Sequence, residues 1–221
     1  MKSSKCFLIV FLIIVLAQLS YGQESTSQTS PMQSNAAGLK LGVGAGVGGF
    51  SYNNTNSLSF SNSDISYNAA FSVGAKLRLN IPQVAFTPVA FLNYYFLTGK
   101  FSGTPINTNV PINSDINQKI FTLGAGAEFK FVPDAQVSPY LAFDIDWNNI
   151  GEVKCDQQPL NLVTPGAISR TGFDAGGGML FVIPYAFTID ASLKYAVLNA
   201  LGKNSGENNI TAWNLNVSIL F

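Results

Sequence analysis

Asp144 and Asp146 stand two residues apart in a chain where charged side chains make up only 11% of the total. Paired carboxylates at such a spacing suit general acid and base work. The sequence contains no His at all, so a Ser-His or Asp-His mechanism has no imidazole to run on. Metal chelation is equally thin: His is absent, and Cys155 is the only cysteine left once an exported chain loses its first residues. Beside Lys154 and Asp156, Cys155 reads as an unpaired surface thiol. The run Gly44-Ala-Gly46-Val-Gly48-Gly49 looks like a phosphate loop but lacks the GK[ST] ending and a following helix. With a formal net charge of +0, long-range electrostatics offer nothing to a nucleic acid. No catalytic residue, metal site or cofactor is expected. A lattice of ion pairs accounts for the carboxylates with less assumption.

That lattice depends on the elements that carry it, and these follow from alternation with a period of two. From Ile65 to Ile81 the odd positions are apolar throughout, including Phe71, Val73, Leu77 and Leu79. The even positions, among them Ser72, Gly74, Lys76 and Arg78, are polar or small. A strand sends successive side chains to opposite faces, whereas a helix would mix the two sets. The same reading covers Phe121–Phe131, Leu141–Trp147, Phe173–Phe181, Phe187–Val197 and Trp213–Phe221. Two segments are less regular. Leu39–Gly49 alternates and then switches parity at Gly48-Gly49 ahead of Phe50 and Tyr52, which suggests a bulge. Residues 84–101 are apolar on both faces and take no phase. The count is about eight strands. Short Pro-containing turns (around Pro82, Pro133 and Pro184) alternate with longer polar connections at about 53–64, 102–118, 149–167 and 199–209. That rhythm is an up-and-down meander.

The charges decide which face looks outward. The even set holds Lys40, Lys76, Arg78, Lys130, Arg170 and Lys194 against Glu128, Asp144, Asp146, Asp174 and Asp190, and the alternating apolar set holds none. A soluble barrel enclosing an apolar ligand would show the opposite. A polar inside and an apolar outside is what a transmembrane barrel requires. Inside a barrel of eight strands there is room for little beyond side chains, so these eleven residues are expected to form an internal salt-bridge network. A proton or ion path along them is the functional alternative. Inward glycines such as Gly44, Gly124 and Gly178 would make room for the long bases. Tyr94 and Trp147 near the loops, with Phe131, Phe181 and Phe221 near the turns, suggest aromatic girdles.

Ahead of the strands, Lys2 and Lys5 precede an apolar run from Phe7 to Ala17, with Ser20 and Gly22 at −3 and −1 of a cleavage before Gln23. Residues 1–22 are expected to be a secretory signal peptide. Residues 23–37, rich in Ser, Thr, Gln and Asn, are expected to be a flexible periplasmic linker, and residues 38–221 the barrel.

The last strand, Trp213-x-Leu215-x-Val217-x-Ile219-x-Phe221, resembles the C-terminal signal of bacterial outer-membrane proteins. The whole of residues 38–221 is similar to the small eight-stranded OmpA-like or opacity-type outer-membrane barrels. The resemblance implies an antiparallel transmembrane β-barrel in the outer membrane of a Gram-negative-type bacterium, held in outer-membrane lipid. It also implies that the barrel-assembly machinery recognises Trp213, Leu215, Val217, Ile219 and Phe221. Small membrane barrels that process lipids or peptides rely on a catalytic His, so the chain is expected not to be an enzyme. With Phe221 terminal, no peptidoglycan-binding domain is expected. A structural, adhesion or interaction role through the extracellular loops is the favoured expectation; the alternative is a narrow porin-like channel. The loops carry no motif that names an extracellular ligand.

Overall fold

The alternating segments become long antiparallel strands whose outward residues are mostly β-branched, aromatic or leucine, the types that suit a pleated surface against an apolar solvent. The computed structural model describes residues 38–52, 60–105, 110–133, 135–155, 167–184, 186–204 and 207–221. The expected signal peptide and linker lie outside the described residues. The strands are β1 (Gly38–Tyr52), β2 (Phe60–Tyr67), β3 (Ala69–Asn80), β4 (Phe86–Pro105), β5 (Ile112–Lys130), β6 (Val137–Ile150), β7 (Lys154–Cys155), β8 (Ile168–Ile183), β9 (Phe187–Leu201) and β10 (Ile210–Leu220). Neighbours in sequence pair antiparallel. β10 pairs with β1 from Gly42↔Leu220 to Tyr52↔Ile210, so the sheet closes on itself. Counting β2 and β3 as one interrupted strand, and β7 as a short extension alongside β5, the closed barrel has eight strands. Closure removes the exposed edges that lipid cannot satisfy.

In β1, β3, β5, β6, β8 and β10, even-numbered residues face inward and odd-numbered ones outward. β4 takes the opposite phase: Val89, Phe91, Tyr95 and Leu97 point in, while Leu92 and Phe96 point out. Both faces of β4 are apolar, which is why alternation alone could not phase it. The outward residues form a band with a definite height. On β6 it runs from Val137 to Trp147 and ends at Asn149; on β5 it runs from Phe131 down to Phe121 and ends at Lys119. That span of roughly ten residues per strand matches what a tilted strand needs to cross a bilayer. Aromatics gather at its upper border, where Phe121 and Trp147 pack edge to face and Tyr94 meets Phe96. Phe129 and Phe131 do the same at the lower border.

Beyond the upper border the strands continue and the polarity of their faces inverts. On β5 the outward residues become Asn113, Asp115, Asn117 and Lys119, all exposed, while Ile116 and Ile120 point in at 1% exposure. Among the described residues, parts of the expected loop sequence at 53–64, 102–118 and 149–167 are therefore strand: β2, the ends of β4, β5 and β6, and β7. The inversion also corrects the expected bulge at Gly48-Gly49. The β1–β10 register is continuous there and Phe50 keeps its inward phase. What changes along β1 is the lining of the barrel, from polar below to apolar above.

A bulge does occur, at Asn68, where it was not expected. Tyr67 pairs with Gly99 and Phe71 with Phe96, so β2 and β3 carry one more residue than β4 opposite them. An extra residue flips the parity that follows it. Ile65 and Tyr67 thus point inward, not outward as a single phase across Ile65–Ile81 implied. Leu79 is a second departure, buried at a position that alternation places outside. A third irregularity lies between Thr171/Phe173 and Leu201/Val197. It turns Asn199 inward next to Leu198, and both are buried.

Candidate functional site

Within the lipid band the barrel is lined by the charged residues of the even face, arranged in two groups. In the first, Lys76 on β3 reaches both Glu128 on β5 and, at 2.5 Å, Asp190 on β9. Arg78 lies 2.6 Å from Glu128, which is fully buried. The Tyr140 hydroxyl donates to Asp190 at 2.6 Å, and its ring stacks beneath both bases, 5.5 Å from the Lys76 ammonium and 5.6 Å from the Arg78 guanidinium. One ammonium held by two carboxylates, and one carboxylate held by two bases, leaves no charge in this group without a counter-ion. Towards the periplasmic end, Lys130 donates to Asn80 and Lys40 to Thr188, each at 2.9 Å.

In the second group, Lys194 on β9 pairs with Asp144 on β6, and its ammonium lies 5.0 Å from the Phe91 ring. Asp146 accepts a hydrogen bond from Asn148 at 2.8 Å, and Asn148 is bonded in turn to Thr122 and to the Leu198 carbonyl. Asp174 is cross-strand to Asp144. Glycines make this crowding possible. A Cβ at Gly178 would fall 2.6 Å from Tyr140 Cζ, and one at Gly124 would strike the Phe91 ring.

Arg170 stands apart from both groups. It sits at the extracellular end and clamps Glu207, with Nη2 at 2.6 Å and Nε at 3.0 Å from the carboxylate. Asn199, turned inward by the irregularity in β9, donates to Glu207 and to the Asn208 carbonyl and accepts from the Ile210 amide at 2.7 Å. The bonds from Arg170 hold the Glu207 carboxyl down at about 2, below the ordinary carboxylate range. Of the eleven interior residues read from sequence, eight (Lys76, Arg78, Glu128, Asp144, Asp146, Asp174, Asp190 and Lys194) lie in the two groups. Lys40 and Lys130 line the periplasmic end, and Arg170 lies at the other. Sequence reasoning missed Tyr140, which sits on the inward parity of β6 and was legible there. It also missed Glu207, which lies in a polar connection where no periodicity marks it.

Above the charges lies an apolar cap. Phe50, Ile65, Tyr95, Leu97, Phe101, Ile116, Ile120, Ile150, Leu198 and Ile210 form one buried cluster contributed by β1, β2, β4, β5, β6, β9 and β10. Tyr67, partly buried against it, donates to Gln118 at 2.5 Å. Cys155 was expected on a loop surface; it pairs across to Ile116 in β7 and packs half-buried against this cap.

An antiparallel barrel with a lipid-facing apolar band, a charged lining and short turns at one end is an integral outer-membrane β-barrel. The comparisons agree. The chain belongs to the family of the outer membrane protein beta-barrel domain, whose model matches residues 15–221. It resides in the outer membrane of a Gram-negative-type bacterium. No curated protein matches the chain. Among solved structures, Neisserial surface protein A is similar with a TM-score of 0.54 at 16% identity, covering 84% of this chain and 97% of that one. The attachment invasion locus protein of Yersinia pestis, in complex with the heparin analogue sucrose octasulfate, scores 0.48 at 14% identity and covers 84% and 99%. The outer membrane protein OprG from Pseudomonas aeruginosa scores 0.46 at 9% identity, covering 82% and 95%. At 16% identity the likeness to Neisserial surface protein A is one of fold.

Proposed function

We propose that this barrel is a structural and interaction scaffold that presents its extracellular end to partners outside the cell and does not conduct solutes. The observation that carries the reading is the apolar cap. An ion or polar solute leaving the charged lining would have to cross a layer of buried Ile, Leu and Phe side chains contributed by seven strands. Stripping water from a charge without replacing its hydrogen bonds costs many kcal/mol, and an eight-stranded interior has no room for a water column beside those side chains. A narrow channel would need this layer to part.

The same cap supports the interaction role. It makes the strands above the membrane a folded platform with its own core, so the connections at 53–59, 106–109 and 156–166 leave from fixed strand ends beyond the lipid band. The described outer surface of this platform mixes signs. Lys100 is cross-strand to Asp115, and Lys154 lies 3.6 Å from Glu152. Such a surface suits a partner recognised by hydrogen bonds better than a polyanion. Enzymatic activity forms no part of this reading. Export by residues 1–22, a linker over 23–37 and recognition of β10 by the assembly machinery belong to it.

Planar-bilayer recording of the refolded, heat-modifiable protein tests the closed state. No unitary openings are expected. Reproducible openings from a preparation shown to be folded would overturn the reading in favour of the channel.

A further inference from the structure

The second charged group contains more acid than base. Asp144 has Lys194, but Asp146 and Asp174 meet no base within ion-pair distance among the described residues. They are 2% and 5% exposed, and one buried oxygen of each, Asp146 Oδ2 and Asp174 Oδ1, has no hydrogen-bond partner in the protein. Charged and polar groups face this pair from several strands. From β6 comes Asp144, from β9 Lys194, from β4 the Tyr95 hydroxyl, and from β3 Lys76, which is held by Glu128 and Asp190. On β8 itself, Arg170 is engaged with Glu207. β5 and β10 contribute only neutral residues here: Gly124, Gly126 and Thr122 on one, Asn214 on the other.

An ionised carboxylate has acceptors and no proton to donate. Two buried carboxylates side by side repel and leave both orphaned oxygens without a donor, and a single proton between them removes both costs. Cross-strand spacing forces the closeness. Asp174 is opposite Asp144 and Asp146 is opposite Gly172, so the pair meets on a diagonal over a residue with no side chain to separate them. The cavity that Asp174 lines together with Tyr95 and Asn93 also holds Asn214, whose buried Oδ1 has no hydrogen-bond partner in the protein.

We infer that the barrel interior carries a built-in protonation site, in which Asp146 and Asp174 share one proton. The site goes beyond the scaffold role and does not depend on what the extracellular end binds.

Infrared spectroscopy of the folded full-length barrel in deuterated buffer at neutral pH tests this directly, because a protonated carboxyl has a C=O stretch well separated from the carboxylate bands. The wild-type protein should show one such band. It should vanish in both Asp146→Asn and Asp174→Asn, where the remaining carboxylate ionises against the amide N–H of the new side chain, and survive in Asp190→Asn. A wild-type spectrum without the band overturns the proposal whatever the variants do. So does a band that persists in either Asp146→Asn or Asp174→Asn, since the proton would then belong elsewhere. Heat modifiability of each variant, checked on the same sample, separates an altered band from an unfolded barrel.

Discussion

Lys76 shows why the interior lattice resists being read as a set of pairs. Its ammonium serves Glu128 and Asp190 together, and Asp190 also accepts from Tyr140. Removing one partner of a buried ion pair leaves the other uncompensated, at a cost of about 3–5 kcal/mol. Asp190→Ala should fall at the lower end of that range, about 3 kcal/mol, because Lys76 keeps Glu128; the urea midpoint of the folded barrel measures it. Arg170 and Glu207 behave differently because their pair sits at the extracellular end, where pH can reach it. The Glu207 carboxyl is held at about 2 against an ordinary 4.5. A carboxyl depressed on folding contributes stability above its unfolded value and loses it as pH falls through the folded one. Glu207→Gln should therefore cost about 1.5–3 kcal/mol at neutral pH, the range for hydrogen bonds to charged groups. The difference from wild type should shrink steadily below about pH 4.5 and be gone near pH 2. An undiminished difference at low pH would mean that the clamp owes nothing to its charge.

Each strand carries two environments, and the boundary between them explains what alternation revealed and what it hid. Leu77 lies mid-band with its side chain in lipid, so Leu77→Arg should cost about 2–4 kcal/mol, while Ile189→Arg, close to the start of β9 at Phe187, should cost less, in keeping with its depth. Both should lower the yield of inserted barrel. Truncation in the cap acts on the opposite face. Ile120→Ala and Ile150→Ala each empty part of a buried apolar cluster and should cost about 2–5 kcal/mol, with insertion unchanged. Thermal melting and membrane yield, measured together, separate the two classes. Phases were legible wherever the two faces differed in polarity, as in Phe121–Phe131. They were not legible at Val84–Phe101, where the lumen itself is lined by Phe91, Tyr95 and Leu97. Phe50 looked like a change of parity because a membrane barrel was assumed to have one kind of interior throughout. Asn68, a single inserted residue, leaves no mark in composition, and it reverses the facing of Ile65 and Tyr67.

At the level of the whole molecule, closure rests on β10 meeting β1, and the two ends of the fold meet at Phe221. Its amide donates to the Leu41 carbonyl at 2.9 Å and its carbonyl accepts from the Leu41 amide at 3.2 Å, with the ring standing exposed at the lower girdle. The sequence made this strand conspicuous, since Trp213, Leu215, Val217, Ile219 and Phe221 alternate without interruption. The pattern alone does not say whether the terminal ring serves closure of the barrel or its recognition during assembly. The two roles make different demands. Closure by two backbone bonds and one lipid-facing ring at the rim is a small part of a register that runs from Gly42 to Tyr52, so a chain lacking Phe221 should still refold in detergent with nearly wild-type heat modifiability. Recognition by the assembly machinery acts only in the cell, and there the same deletion should sharply reduce the heat-modifiable fraction in the outer membrane. Equal losses in detergent and in the cell would assign Phe221 to closure alone, and no loss in either setting would remove it from both.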